Sequence, residues 1–522
     1  MSTNQSLQDL LNRGSALVQA GHAQEAQVLA DQLLGSFGDH PEVRFFASDV
    51  ASLRGDASAA LLQLDALSDD VAATPRALLR KAQLLMFDGR RGDALDCART
   101  VDLLEADERQ LVGLSRVFID GKQLNEARNC LLIARDKYPA SQQILYLLAV
   151  SEAQLDRLNE AEKHLSQLLE KSPFHVGALH LRSQLRSWSE DNNHVAALRA
   201  LLEKDSDPQL AALVNYALGK ELEDLQRYEE AFIAYSAGAR TYRGLVSYDP
   251  AIELSAQQDI RDTVTRARCD ALAPGCDRES PIFLVGMPRS GIRLLERVLR
   301  QHSDISSVGD PGDFRRILGV LARDAAPAEV SDAEATLAVD FADLGKRYIA
   351  AARESAGDTP RFVDCTSYNF LYCGHILAAL PEARIIHMQR NPLDVCYSAF
   401  KTLIFGAHSF SYDLEELVDY YLSYRAQMQH WHSLFPGQIL DVSYEALLQD
   451  PEQETRRVLD FCDLPWQEGM LESDPEFVAN IALSASATLP RLHRNSLGAA
   501  ARAGTGLDAL RSRLQEAGVP LD

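Results

Sequence analysis

Two kinds of hydrophobic patterning divide this chain. Through the first half, apolar residues recur at helical spacing in short paired stretches. The stretch "LNEAEKHLSQLLEKSP" is one example, with Pro173 closing the second helix of its pair. From about Tyr248 the pairing ends. "YDPAIELSAQQDIRDTVTRARCDAL" predicts one or two connecting helices, and "APGCDRES" reads as a linker rich in turn formers. Beyond it the period changes to short apolar runs, "PIFLVG", "RFVDCTS", "ARIIHMQRNP" and "GQILDVSYEAL", each followed by a helical stretch. Strands that alternate with helices predict a parallel, doubly wound sheet, with ligands at the carboxyl ends of the strands.

The paired helices keep a strict period. Small residues recur in the context of "GHAQEA", "GDASAA", "GRRGDA", "DRLNEA" and "QRYEEA", with marker alanines Ala26, Ala60, Ala94, Ala127, Ala161, Ala196 and Ala231. Successive gaps are 34, 34, 33, 34, 35 and 35 residues, and the Ala196 unit lacks the usual Gly or Asp turn. Helical hairpins of this length stack through an alanine where two helices cross closely, and the pattern resembles the tetratricopeptide family. Stacked repeats present a concave face, which predicts a peptide or protein partner. The same array would also serve to buttress the C-terminal half or to dimerise.

Composition narrows the function classes. At 522 residues the chain exceeds what one core supports, so two domains or more are expected. A formal charge of −23 argues against a nucleic-acid partner, though a small anion needs only a few local cations. The start, "MSTNQSLQDLLNRG", has no basic region followed by an apolar run, which predicts no secretory signal. No apolar run approaches the roughly 18 residues that span a bilayer, so no membrane partner is expected. The eight cysteines show neither a CxxC pair nor zinc spacing, which fits small core residues in a reducing cytoplasm.

The chemistry concentrates in "PIFLVGMPRSGIRLLERVL", residues 281–299. Gly286 to Gly291 bound a turn between a buried strand and a helix, a geometry that aims backbone N–H groups and a helix N-terminus at a phosphate. Arg289 adds a fork of donors suited to phosphoryl or sulfuryl oxygens. Ile292 and Arg293 stand where a nucleoside-triphosphate loop would carry Lys and Ser or Thr, which argues against an ATPase or a kinase.

This stretch is followed in order by "SSVGDPGDF", "FVDCTSYNFLYCGHILAALPEARIIHMQRNPLDVCYSAF" and "DVSYEALLQDPEQETRRVLDFCDLPW". Together the four segments resemble the sulfotransferase family. More narrowly, they are similar to bacterial proteins that pair tetratricopeptide repeats with a domain like that of tyrosylprotein sulfotransferases. The resemblance implies an all-α solenoid over 1–245, a connector over 246–277 and a sulfotransferase-like α/β domain, P-loop-like in fold, over 278–522. It implies 3′-phosphoadenosine 5′-phosphosulfate as co-substrate, with no metal. Arg289, Ser290 and Gly291 would meet the 5′-phosphosulfate, Arg390 and Ser398 the 3′-phosphate, and Tyr444 would lie near the nucleotide. A capping network around Asp394 is the competing use for the Arg390–Ser398 pair. Asp310 stands at the position of the family's glutamate base, and would take the proton of an acceptor hydroxyl. A plain loop or helix-cap role is the competing reading of Asp310.

The pattern departs from the family at several points. The family's Thr-Thr is Ile292-Arg293, and its Asp-Lys is Asp364-Cys365, whose thiol cannot stabilise charge on the bridging oxygen. A C-terminal Gly-Arg-Trp segment appears as Gly498 followed by alanines, and an upstream Arg falls at Leu489, leaving Arg491, Arg494 and Arg502 as candidate substitutes. Arg293 is the natural replacement for the missing lysine. The leading expectation is therefore a cytoplasmic sulfotransferase acting on a hydroxyl, with a peptide tyrosine as candidate acceptor. The alternative is a catalytically silent scaffold or nucleotide sensor working through its repeats. Oligomeric state stays open.

Overall fold

A computed structural model of the chain describes residues 6–471 and 498–521, apart from 39, 122, 156, 205–206, 274, 277–278, 326–329 and 405. By compactness the chain divides into residues 1–164 and 165–522. That division falls inside the repeat array, not at its end near 245.

The first unit is a run of helical hairpins. Leu7–Gln19 pairs with Ala23–Phe37, Pro41–Leu53 with Ala57–Asp65, Pro75–Phe87 with Arg91–Arg99, and Glu108–Asp120 with Leu124–Lys137. Helix starts are set by side chains that accept backbone N–H groups, such as Ser6, Asp56, Thr74 and Asp107. Gly21, Gly55 and Gly89 close the hairpin turns with φ of 75°, 77° and 82°, a left-handed backbone open to glycine at no steric cost. The marker alanines occupy the fourth position of each second helix, and Ala26, Ala60, Ala94 and Ala127 are fully buried there.

The sixth marker needs correction. Ala196 is exposed, and the fourth position of its helix, Val195–Lys204, is Leu198, which is buried. The amide of Leu198 donates to the carbonyl of His194, as that of Ala26 donates to His22. A longer irregular connection from Leu185 to His194 follows a short first helix, Val176–Gln184, and shifts the register.

The second unit continues with the hairpin Pro208–Asp224 and Tyr228–Arg243, then the connecting helices Pro250–Thr263 and Arg266–Asp270. Five parallel strands follow: β1 (Ile282–Val285), β2 (Ile305–Gly309), β3 (Arg361–Asp364), β4 (Arg384–Gln389) and β5 (Ile439–Ser443). Their spatial order is β2-β3-β1-β4-β5. Four of the strands match the apolar runs of the sequence. The fifth, β2, is an edge strand carrying Ser306 and Ser307 half-buried, so it lacks the apolar run by which a central strand is read.

Both faces of the sheet are covered. One side packs Ile282, Leu284, Val363, Ile386 and Val442 against Leu294, Leu295, Val298 and Leu299 of the helix after β1. The other side holds an aromatic group of Phe283, Phe314, Tyr348 and Phe362. β3 and β4 flank β1 on opposite sides, so the strand order switches there and opens a crevice beyond the ends of β1 and β4. The last repeat hairpin packs on the helix after β4, Pro392–Phe400. Tyr216 donates to the carbonyl of Phe400 at 3.1 Å, Lys401 pairs with Glu223 at 2.6 Å, and the Phe232 ring stacks on Phe400.

Candidate active site

β1 delivers the chain to the crevice at Gly286, and the helix Ile292–Leu299 carries it away. Between them Arg289 has φ 77° and Gly291 φ 106°. A side chain at Gly291 would place its first carbon 2.3 Å from Cδ2 of Tyr444, a ring that is itself buried. Glycine is therefore required here by both space and conformation. At Arg289 a left-handed backbone on a long residue is a local strain of the kind that gathers at ligand sites.

Four of the candidate residues, Arg289, Ser398, Arg390 and Tyr444, lie together. Arg289 Nε donates to Ser398 Oγ at 3.2 Å, and Arg390 Nη1 donates to the carbonyl of Arg289 at 2.9 Å. The Arg390 guanidinium lies over the ring of Tyr444, 4.7 Å from its centroid. Two cations are thus held together at the end of the sheet. Burial, and then the repulsion of Arg390, push the Arg289 guanidinium down to about 10, while Tyr444 acts in the opposite sense. Among the described residues no carboxylate pairs with Arg289, and Ser290 Oγ is buried without a hydrogen-bond partner. Such a pocket favours an anion with several acceptor oxygens. Ser290 and Arg390 also border a cavity of about 430 Å³ that continues along β4 and β5.

Asp394 does not compete for these groups. Its carboxylate accepts from the backbone of Gly498 at 2.7 Å and Ala500 at 2.9 Å, tying the C-terminal helix Ala499–Arg502 to the helix Pro392–Phe400. Asn391 caps the latter helix. Arg502 lies over the Tyr228 ring, 5.7 Å from its centroid, on the repeat side. Leu489, Arg491 and Arg494 lie outside the described residues.

The second cluster lies toward β2 and β3. Arg293 Nη1 is 3.0 Å from Glu296 Oε2 and 2.8 Å from Cys365 Sγ, and Nη2 is 3.8 Å from Asp310 Oδ2. The guanidinium reaches from the helix to the place where Cys365 leaves β3. Cys365 is buried, and burial first, then the Glu296 charge, push its thiol far above the ordinary range. It donates to the carbonyl of Gly309 and stays neutral. Asp310, just after β2, is exposed. Beside Cys365, Asp364 is buried and pushed up to about 6 by that burial, against hydrogen bonds from the Thr366 backbone and Tyr348. Glu296, Tyr348 and Asn369, which complete this network, carry no signal in the sequence beyond their helical and strand settings.

Residues 281–468 match the family model described as the sulfotransferase family, and residues 113–176 match a tetratricopeptide repeat. An uncharacterized protein of Aquifex aeolicus (strain VF5) is 29% identical over 371 residues, 69% of this chain and 48% of that protein. The protein-tyrosine sulfotransferase of Drosophila melanogaster is 25% identical over 220 residues, 39% of this chain and 42% of that enzyme. The chain thus spans about half the length of these relatives or less. Among solved structures, the sulfotransferase domain of the Synechococcus PCC 7002 olefin synthase aligns with a TM-score of 0.28 and 19% identity, covering 44% of this chain and 94% of that domain. The chain therefore joins tetratricopeptide repeats to a parallel-sheet domain that matches the sulfotransferase family, as its sequence motifs implied.

Proposed function

We propose that residues 278–522 bind 3′-phosphoadenosine 5′-phosphosulfate and transfer its sulfuryl group to a hydroxyl acceptor. Residues 1–245 would be the repeat domain that brings a protein or peptide, with tyrosine as the acceptor side chain, and 246–277 the connector. The reading places the protein in the cytoplasm, without nucleic-acid or membrane partners; among the described residues no helix is long and apolar enough to cross a membrane.

The observation that carries this reading is the meeting of Arg289, Ser290, Arg390 and Ser398 where the strand order switches. The orphaned Ser290 hydroxyl and the cation of Arg289 fit the phosphate oxygens of such a nucleotide. Arg289, Ser290 and Gly291 hold the 5′ end, Arg390 and Ser398 hold the 3′-phosphate, and Tyr444 supports Arg390 from below. The bound nucleotide supplies the sulfuryl group. Asp310 takes the acceptor proton, and Arg293 supplies positive charge beside Cys365, where the thiol supplies none.

Nucleotide binding is the direct test. The product nucleotide, 3′-phosphoadenosine 5′-phosphate, should raise Tm well above the effect of 5′-AMP, and Arg390→Ala should abolish the difference. Equal stabilisation by both nucleotides refutes the assignment.

A second reading has its own support. Arg293 is already engaged by Glu296, and the neutral Cys365 fills the lysine position. A domain that binds the nucleotide but transfers nothing would act as a sensor or scaffold through its repeats. Nucleotide binding without sulfate transfer to any tyrosine peptide or other hydroxyl acceptor would favour it.

A further inference from the structure

The cavity bordered by Ser290 and Arg390 has a second wall that nothing above uses. His387, His432 and Asp441 lie there. His387 and Asp441 stand opposite each other in the parallel pairing of β4 with β5, and His432 comes from the last turn of the helix Leu414–Leu434. His387 Nδ1 is 2.7 Å from Asp441 Oδ1, and His432 Nε2 is 3.0 Å from the same oxygen. One donor atom from each of the three lies within 4.8 Å of the others.

We propose that His387 Nδ1, His432 Nε2 and Asp441 Oδ1 bind a divalent transition metal such as zinc, with the remaining coordination position open to the cavity. Two imidazole nitrogens and a carboxylate oxygen are the donor set that suits zinc, cobalt or nickel, and not magnesium or calcium. Metal–ligand bonds of about 2.0–2.2 Å place tetrahedral donors about 3.3–3.6 Å apart. The measured separations of 2.7 and 3.0 Å therefore need to open by about 0.3–0.9 Å to admit the ion.

The supporting shell is in place. The Tyr424 hydroxyl is 2.5 Å from His387 Nε2, which fixes the ring with Nδ1 toward the carboxylate. His387 is buried, whereas His432 is about one-third exposed and Asp441 44% exposed, so an ion can enter from the open side. Two neighbouring strands and a helix supply the ligands, so the site is held by the sheet and not by a loop.

The test uses the full chain, stripped with EDTA, and metal alone, with neither nucleotide nor acceptor present. Its outcome is thereby independent of the sulfuryl-transfer reading. Calorimetric titration with Zn²⁺ should show one ion per chain, and Co²⁺ should develop visible absorption of bound, low-coordinate metal. His432→Ala and Asp441→Asn should each weaken Zn²⁺ binding by roughly 100-fold or more. His430→Ala, in the same helix but outside the cluster, should bind as the wild type does. Unchanged Tm of the metal-free variants would show that the fold survives, and the Zn²⁺-dependent rise in Tm should vanish in both cluster variants. The proposal is overturned if the wild type binds no Zn²⁺. It is equally overturned if both cluster variants bind it as tightly as the wild type, which would leave a hydrogen-bonded His–Asp–His cluster alone.

Discussion

Replacing Arg293 by alanine separates a catalytic from a structural use of its charge. The guanidinium pairs with Glu296 at 3.0 Å and with Asp310 at 3.8 Å, and its side chain is 47% exposed. Two unit charges at 3.8 Å attract by about 4 kcal/mol at an effective dielectric constant near 20. Solvent screening at half exposure reduces what such a pair contributes to stability to about 1 kcal/mol or less. Glu296 is buried and keeps the Ser307 hydroxyl in the variant but loses its cation, which adds the cost of a buried carboxylate without a counter-ion. Urea unfolding of Arg293→Ala should therefore show a loss of about 1–3 kcal/mol. The rate of the folded enzyme is a separate readout. If the guanidinium at Cys365 neutralises charge on the leaving oxygen, kcat for transfer to a tyrosine peptide should drop by about 10²–10³-fold, with KM nearly unchanged. Adding Cys365→Lys should recover part of the rate, because an ammonium from β3 enters the same space. Wild-type kcat in Arg293→Ala would refute the assignment.

Three further outcomes follow from the same geometry. Asp310→Asn should remove most turnover while leaving nucleotide-dependent Tm shifts intact, and an active Asn variant would show that the proton leaves by another route. Gly291→Ala should destabilise the domain by about 2–5 kcal/mol in urea unfolding. That sum combines left-handed backbone strain with overlap on the buried Tyr444 ring. Asp364 is raised from 3.8 to about 6 by burial, so the folded state binds its proton more tightly than the unfolded chain does. Its contribution is full below about pH 4 and is lost as pH rises through about 6. Asp364→Asn should flatten that fall in a pH series of unfolding midpoints, and an unchanged slope would exclude Asp364 as its source.

Periodicity exposed the repeats and four of the five strands because their burial is regular. Where burial is irregular, the sequence misleads. Ala196 fits the 35-residue spacing, yet Leu198 holds the buried position, since the long connection before the helix shifts its start. β2 escapes notice because an edge strand can be polar. The glycine-bounded turn 286–291 was legible from local backbone rules, and Arg390 and Ser398 were singled out by the family resemblance; that both meet Arg289 is seen only in the fold. The position of the Arg293 head was not legible. It depends on β3 lying beside β2, a pairing between strands more than fifty residues apart. The same holds for His387, His432 and Asp441, which meet only when β4 and β5 pair and the helix Leu414–Leu434 packs on them.

The hairpin 208–243 has a consequence for how such chains can be cut and recombined. Its aromatic and charged side chains form the outer skin over the helix that carries Ser398. A fragment begun at 278 would uncover Phe400 and leave Lys401 without Glu223, inviting association through a newly bared apolar patch. Exchange of repeat arrays between relatives therefore needs to keep 208–243 with the parallel-sheet domain. Grafts joined at 245 would bare the helix that carries Ser398.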